Sequence, residues 1–401
     1  MNGVNPSSEK FAFPWPIFKL VLEGTSILDV PRLETHTMEE ATSFIKAYGF
    51  DPADPADLDM IWDFFDQAIS FLEKSLCDAQ YPRVPDHLRD RKAVNDVRRL
   101  LIIASDRNGS EDQLFTCAIL RVMHILIHVG FDPRLRFFEQ AQNQVLSRLD
   151  NYLYTDSGVT YLGRPEEGGG IKLVFFKKKD RKDREREIVK LLHKSNNLVE
   201  EIYDRIGFRL VTETKYDAIR AVRLLLEKNI ISVPNIRPGR SRNRLVDLSR
   251  LQFEIDRIDA HIKKSGESAP YIEKMIQRLE SRIGFSRLGR SLINPHTSEY
   301  YRAIQFTCRE LVKVRHPLGQ VYQKLKEPLE NLHGGAQVLA EVFPTQVPPS
   351  LHLFFPYEIQ IMDVKAYADS IFGKSNHEEY RRKQLETARD RVFGRNLSKK
   401  K

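Results

Sequence analysis

Residues 206–228, IGFRLVTETKYDAIRAVRLLLEK, predict a strand followed at once by a helix. The apolar run from Ile206 to Thr212 predicts a buried strand. Thr214, with Asp217 three residues later, forms a capping box, so a helix is expected over Ala218 to Lys228. A strand that leads directly into a helix is typical of a sheet covered by helices.

The same alternation extends in both directions along the chain. Upstream, Ile171 to Phe176 predicts a strand, and Ile188 to Tyr203 predicts the helix that joins it to the strand at Ile206. Downstream, Leu353 to Val364 predicts a further strand, whose period of two divides its residues between two faces. One face carries Glu358, Gln360 and Met362, and the other carries Tyr357, Ile359 and Ile361.

The front of the chain has a different period. Between Met38 and about Asp150 apolar residues recur every three and four positions, which predicts a helical domain. Phe115 to Phe131 is a more apolar segment and is expected to form a central buried helix that ends at Gly130. The Gly-rich, turn-forming stretch of residues 155–170 is expected to separate this domain from the rest of the chain.

The fold class that these patterns predict is α+β. An acidic, all-helical domain over residues 1–160 precedes a mixed β-sheet domain flanked by helices over residues 161–390. Within the second domain, residues 234–295 are expected to form a helical insertion. Residues 391–401 are expected to be a basic tail.

The composition excludes several classes of protein. Of the 401 residues, 41% are hydrophobic and 29% are charged, as in globular rather than disordered or collagen-like proteins. No run of about 18 uncharged apolar residues and no export signal stand out, so neither a membrane protein nor a secreted one is expected. Cys77, Cys117 and Cys308 fit neither a disulfide framework nor a short-spaced zinc site. We therefore expect reduced thiols and a cytoplasmic location.

The charge is divided unevenly along the chain. Residues 1–165 carry 17 Lys and Arg against 24 Asp and Glu, whereas the remaining residues carry 46 against 31. A strongly basic half favours a polyanionic partner such as nucleotide phosphates or RNA.

A histidine pair lies in the predicted central helix. His124 and His128 are four residues apart and share one face, a spacing that could hold a metal ion. Their immediate neighbours are apolar, which favours core histidines over metal ligands.

Two acidic residues stand where a charge is costly. Asp204 lies at a predicted helix-to-strand junction, and Glu358 lies inside an apolar strand. A buried carboxylate must be paired, hydrogen-bonded or bound to a cation, and two carboxylates from neighbouring strands would suit Mg²⁺. Without a metal, Asp204 would cap the junction and Glu358 would pair with Arg209 across the sheet.

A basic run from Lys177 to Arg186 comes after one predicted strand and enters the next helix. Its cations and the helix N-terminus could converge on a triphosphate. The alternative interpretation is a solvated face, which is what charge runs of this kind more often form.

Four motifs together resemble a known family. Asp204 to Arg209, DRIGFR, resembles a DxxGxR motif, and Pro356 to Ile361, PYEIQI, resembles a PxEIQI strand. Gly373, His377 and Tyr380 match the spacing of GxxxHxxYK, and Tyr301-Arg302 is similar to GYRSLH. The region of roughly residues 171–385 thus resembles the RelA/SpoT-type (p)ppGpp synthetase domain, which has a nucleotidyltransferase-like fold.

The resemblance implies a Mg²⁺-dependent pyrophosphokinase that moves pyrophosphate from ATP to the 3′-hydroxyl of a guanosine nucleotide. Asp204 and Glu358 would be the catalytic acids and the magnesium ligands, and Tyr301 would stack on the guanine base. The implied nucleotide-binding residues are Lys177, Lys179, Arg181, Lys182, Lys190, Arg209, Tyr301, Arg302, Gln360 and His377. The partners would be ATP and the guanosine nucleotide, with RNA or the ribosome and a second copy of the chain as further options.

The chain also departs from the family pattern. His296 to Tyr300 replaces the lysine, asparagine and glycine that precede the family's tyrosine, and Gln305 replaces its histidine. No literal GRPK loop is present, and the basic run with Lys190 stands in for it. Two alternatives to (p)ppGpp synthesis therefore stay open. One is the same transfer to an RNA 3′-end, and the other is an inactive synthetase fold that senses nucleotides or binds RNA.

Overall fold

A computed structural model describes residues 15–78, 83–164, 170–179, 183–193, 205–265, 269–285, 301–343, 347–372 and 377–394. Its contacts group into two compact units. The first unit takes in residues 1–132, 182–202 and 378–401, and the second takes in residues 133–181 and 203–377. The domain boundaries expected from the sequence stay a prediction.

The second unit is built on one seven-stranded sheet. The strands are β1 (Leu153–Asp156), β2 (Val159–Leu162), β3 (Ile171–Lys178), β4 (Ile206–Thr212), β5 (Arg242–Asn243), β6 (Ile304–Arg315) and β7 (Ser350–Asp363). They lie in the order β1-β2-β3-β4-β7-β6-β5 across the sheet. β4 and β7 are parallel, and each other neighbouring pair is antiparallel. The chain is therefore a mixed α and β protein with a mixed sheet.

Helices make up most of the remaining described structure. They are α1 (Trp15–Glu23), α2 (Met38–Tyr48), α3 (Pro55–Phe71), α4 (Arg91–Val94), α5 (Arg98–Ile103), α6 (Glu111–Gly130), α7 (Pro133–Arg136), α8 (Phe138–Asp150), α9 (Arg184–His193), α10 (Lys215–Glu227), α11 (Leu248–Ser265), α12 (Ala269–Arg282), α13 (Gly319–Glu330), α14 (Gly335–Val342), α15 (Val364–Phe372) and α16 (His377–Phe393).

The strand predicted at Ile206 and the helix after it are both confirmed. β4 is buried at every position except Arg209, which is partly buried, as expected for a parallel strand covered on both faces. The Thr214 hydroxyl accepts a hydrogen bond from the Asp217 backbone N–H at 3.0 Å and caps α10. The Glu280 carboxylate of α12 accepts from the Lys215 and Tyr216 amides at 3.1 and 3.0 Å, so it satisfies two more N–H groups at this helix end.

The core of the second unit lies between the sheet and helices α8 and α10. Ala141, Val145 and Leu149 of α8, and Ala218, Ala221 and Leu225 of α10, belong to one buried cluster with the apolar residues of β3, β4, β6 and β7. The register confirms the predicted division of β7, because Glu358, Gln360 and Met362 pair with Gly207, Arg209 and Val211 in turn.

Several elements were not predicted. β6 runs for twelve residues beside β7, and helices α13 and α14 lie between these two strands in sequence. The stretch expected to be a turn-rich separator contains the β1–β2 hairpin instead, because Tyr154 and Thr155 pair with Tyr161 and Thr160. The expected insertion holds helices α11 and α12 as predicted, but β5 joins it to the sheet through Arg242 and Gln305.

The first unit packs around α6, the helix predicted from Phe115 to Phe131. Among the described residues, α6 is the one helix long and apolar enough to cross a membrane, and most of it is buried, as in the core helix of a globular unit. His124 is half-buried in α6, with its Nδ1 atom 2.8 Å from the Tyr48 hydroxyl. Burial lowers the pKa of His124 to about 4. His128 is exposed, so the expectation of a core histidine is wrong for it.

Helix α16 completes the core of the first unit. Phe393 is fully buried and makes an edge-to-face contact with Phe115, at 6.1 Å between ring centroids. The Arg391 guanidinium forms a bidentate ion pair with Asp29 at 2.7 and 2.9 Å. Residues 391–393 were expected to begin a basic tail. That expectation is wrong for them because Phe393 is buried and Arg391 is fixed by a carboxylate.

Candidate functional site

Glu358 lies near the middle of the sheet and is only 7% exposed. Its two carboxylate oxygens accept hydrogen bonds from three side chains, one from β7 itself and one from each side of β7. Lys179 donates to Oε2, Gln305 donates to Oε1, and Gln360 donates to Oε2 at 2.9 Å. A carboxylate buried to this degree requires such partners, and the Lys179 ammonium also balances its charge.

Gly207 brings the backbone of β4 into close contact with Glu358. The two residues are paired across the parallel strands. A Cβ atom at position 207 would lie 2.3 Å from the backbone oxygen of Glu358 and 3.3 Å from the Lys179 side chain. The small residue of the DxxGxR pattern therefore allows Lys179 and Glu358 to meet beside β4.

Lys179 reaches Glu358 from the end of β3. Its backbone N–H donates to the Gly207 oxygen at 2.8 Å, and its own carbonyl accepts from the Gln142 side chain of α8 at 3.2 Å. These two backbone bonds fix the point where β3 ends, so the ammonium is aimed by the fold. Lys177 pairs with Arg209 in the β3–β4 register, which puts a second lysine in the row next to Glu358.

Arg209 is held by Gln360, whose Oε1 accepts from Nε at 3.1 Å and from a terminal guanidinium nitrogen at 2.9 Å. The interpretation of Glu358 as an ion-pair partner of Arg209 is wrong. Arg209 faces Gln360, two residues farther along the strands on the same face, and the cation that pairs with Glu358 is Lys179. Gln360 thus bridges the two charged groups, because its amide nitrogen donates to Glu358 while its oxygen accepts from Arg209.

Tyr301 and Arg302 lie three and two residues before β6 begins at Ile304. Tyr301 is partly buried against the apolar core of the second unit. The Arg302 guanidinium lies over the Phe285 ring, at 4.4 Å from its centroid, and the Lys215 ammonium lies 5.0 Å from the same centroid. Phe285 therefore carries two cations, one of them from the residue next to the predicted base-binding tyrosine.

Four more predicted site residues lie outside the described part of the chain, wholly or in their side chains, and a fifth belongs to the first unit. Asp204, Arg181 and Lys182 lie outside the described residues, and so does the side chain of His377 at the start of α16. Lys190 lies on α9, which belongs to the first unit rather than to the unit of Glu358.

The described donor set does not fit a magnesium ion. Mg²⁺ binds carboxylate oxygens that are free to coordinate it. Both oxygens of Glu358 already accept hydrogen bonds, and one of these bonds comes from the Lys179 ammonium. Among the described residues, no group of three or more His, Cys, Asp and Glu side chains could hold a metal. The predicted metal site therefore depends on Asp204, and we assign no chemical step to it.

Gln305 is a site residue that the sequence pattern did not single out. In the sequence, Gln305 was noted only because it replaces the family's histidine. In the structure, its side chain donates directly to Glu358. The signal that could have found it is its pairing with Gln360 across β6 and β7. That signal needs β6 to be recognised as a strand first.

Comparison with known proteins gives no family for this chain. No protein-family model, no curated protein and no solved structure matches it.

Proposed function

We propose that the second unit is a nucleotide pyrophosphokinase with a nucleotidyltransferase-like sheet, attached to a separate helical domain. The observation that carries this proposal is the buried Glu358 carboxylate, which meets Lys179 from the end of β3 and is bridged by Gln360 to Arg209 of β4. The carboxylate can accept a proton, and the two cations beside it can stabilise the negative charge of phosphate groups at the same site.

The proposed reaction transfers pyrophosphate from ATP to the 3′-hydroxyl of a guanosine nucleotide. The hydroxyl oxygen forms a bond to the β-phosphorus, the bond between that phosphorus and the α,β-bridging oxygen breaks, and AMP leaves with the bridging oxygen. Glu358 takes the hydroxyl proton. Lys179 and Arg209 offset the negative charge of the phosphates, and Lys179 exchanges Glu358 for a phosphate oxygen when ATP binds.

A second candidate is a nucleotide- or RNA-binding module that does not transfer pyrophosphate. The observation that favours it is the engagement of both Glu358 oxygens by Lys179, Gln305 and Gln360. A buried carboxylate whose oxygens all have hydrogen-bond partners can also stabilise a sheet without taking part in a reaction.

The test is incubation of the full chain with γ-labelled ATP, MgCl₂ and GDP, GTP or bulk tRNA as separate acceptors. We expect label on a guanosine nucleotide together with an equal amount of AMP, since release of AMP distinguishes pyrophosphate transfer from transfer of one phosphate. Glu358→Gln should lower the rate by at least about 100-fold because it removes the proton acceptor. Label on tRNA would mean that the acceptor is RNA and not a guanosine nucleotide.

The matched control is Gln305→Asn, which keeps the amide donor type near Glu358 but shortens it. It should lower the rate far less than Glu358→Gln. Circular dichroism of each variant checks that the sheet has formed. Bound ATP with neither labelled acceptor nor AMP would overturn the enzyme proposal in favour of the second candidate.

A further inference from the structure

The β6–β7 ribbon extends beyond the site and exposes one face. Beyond Thr307 and Glu358, the paired positions on this face are Arg309 with Pro356, Leu311 with Phe354, Lys313 with His352, and Arg315 with Ser350. Arg309, Leu311, Lys313, Arg315, His352 and Phe354 are all exposed. We refer to these six residues as the outer face.

Phe354 is the aromatic centre of the outer face. It is 50% exposed although it lies in the middle of a strand, and its cross-strand partner Leu311 is 48% exposed. The Arg309 guanidinium lies 5.2 Å from the centroid of the Phe354 ring. A half-exposed ring held on a sheet is the arrangement on which unpaired nucleobases stack.

The charge of the outer face is of one sign. Arg309, Lys313 and Arg315 are cations, and His352 adds a fourth basic group. The acid of this stretch of β6, Glu310, points to the opposite face, where it is buried and its Oε1 lies 2.6 Å from the Arg148 guanidinium. The outer face thus combines a basic row with one exposed ring and a single aliphatic neighbour, which suits a polyanion with flat bases better than the more apolar centre of a protein interface.

We propose that the outer face binds single-stranded nucleic acid, with a base stacked on Phe354 and backbone phosphates on Arg309 and Lys313. Phe354 and Glu358 are four positions apart, which is about 14 Å along β7. A strand on this face would therefore point towards Glu358 and could present an end as acceptor, a consequence that rests on the proposed pyrophosphokinase, whereas binding itself does not.

The test is fluorescence anisotropy of the full chain with a labelled 12-nucleotide single-stranded RNA, the DNA of the same sequence, and the RNA duplex, all without ATP. Single strands should bind more tightly than the duplex, because duplex bases are already stacked. Tighter binding of RNA or of DNA tells which of the two the face selects. Phe354→Ala should weaken single-strand binding at least fivefold.

Two further variants separate stacking from charge. Phe372→Ala removes a ring of the same unit that is 87% exposed on α15, and it should leave the affinity unchanged. Arg309→Gln combined with Lys313→Gln should reduce the slope of log affinity against log salt by about 1.4, since two phosphate contacts are lost.

Three results would overturn the proposal. The first is equal affinity of the Phe354→Ala and Phe372→Ala variants for the single strand, and the second is tighter binding of the duplex. The third is that no nucleic acid binds, while analytical ultracentrifugation shows that the chain self-associates through Phe354. The binding assay contains no ATP and is independent of the transfer assay. If any of these results occurred while the transfer assay still showed label on GDP, the pyrophosphokinase proposal would stand.

Discussion

The two halves of the β6–β7 ribbon share one register but differ in what surrounds them. Among the described residues, β4 pairs with β7 from Tyr357 to Asp363, and over these residues β7 is buried on both faces. Before Tyr357, β7 has β6 as its strand neighbour among the described residues, and from Leu351 to Phe354 its residues alternate between partly buried and exposed. The environment of a residue in this ribbon thus depends on where β4 begins, at Ile206, and the buried half holds Glu358 while the other half carries the outer face.

In the described part of the chain, side chains of α8 cover the edge of β6 in the outer half. The Gln144 amide of α8 donates to the Lys313 carbonyl at 2.7 Å and accepts from its N–H at 2.9 Å. Gln140 accepts from the Arg315 N–H at 3.0 Å. These bonds satisfy backbone groups that would otherwise offer an edge for another strand.

The largest expected effect separates two adjacent residues on opposite faces of β7. Phe355 is 2% exposed, so Phe355→Ala should lower the free energy of unfolding by about 4 kcal/mol through lost burial and a cavity. Phe354→Ala should change it by less than about 1 kcal/mol, because half of that ring is already in solvent. Urea unfolding monitored by circular dichroism measures both, and equal losses would show that the two faces are not different.

Gly207→Ala tests the buried half directly. The new Cβ would lie 2.3 Å from the Glu358 oxygen, so β4 and β7 must separate, at a cost of about 3 kcal/mol. Gly284→Ala is the control, since its Cβ would have ordinary contact at 3.8 Å with Asp247. Amide hydrogen exchange of β7 should accelerate in the first variant and not in the second. Unchanged exchange in Gly207→Ala would contradict the close packing of the strands.

A smaller effect comes from the charge pair in the buried half. Lys179→Met leaves the Glu358 carboxylate buried without its cation and should destabilise the second unit by about 2 kcal/mol. Combining it with Glu358→Gln should cost less than the sum of the single changes, because the double variant has neither charge to bury. A double-mutant cycle by urea unfolding gives the coupling, and strict additivity would mean that the pair contributes nothing.

The smallest effect concerns Asp363 at the end of β7. Burial raises the pKa of its carboxyl, although the Ala366 N–H donates to it at 2.8 Å. A raised pKa means that the folded chain holds the proton more tightly, so this stabilising contribution is full below the unfolded pKa and is lost as pH rises through the folded pKa. Asp363→Asn keeps an acceptor for Ala366 and should stabilise the chain at pH 7 but not at pH 4. Thermal unfolding at the two pH values checks this, and a loss at pH 7 would reverse the sign.

The sequence predicted the elements whose pattern is continuous and missed those whose pattern is mixed. β4, β7 and α6 are long apolar or strictly periodic segments, and each was located to within a few residues. β6 was missed because Glu310 points inward and Leu311 outward, which blurs the alternation that marks a half-buried strand. The β1–β2 hairpin was missed because its strands are four residues long and lie in a stretch rich in turn-forming residues.

For the candidate site, the sequence predicted some of the residues but not how they pair. Glu358, Gln360 and Lys179 were selected from the sequence, and the structure brings their side chains together. Their partners could not be assigned, since the choice between Lys179 and Arg209 depends on the register of β3, β4 and β7. Gln305 needed β6, and the role expected for Asp204 stays a prediction.

The position of α16 has a consequence for the order in which the chain can fold during synthesis. The core of the first unit includes Phe115 and Phe393, and the N-terminal Asp29 is paired with Arg391. The second unit, whose described residues end at 377, has emerged before Phe393 leaves the ribosome. The unit that begins first is therefore completed last, and a nascent chain interrupted after residue 377 would expose the apolar surface that α16 covers.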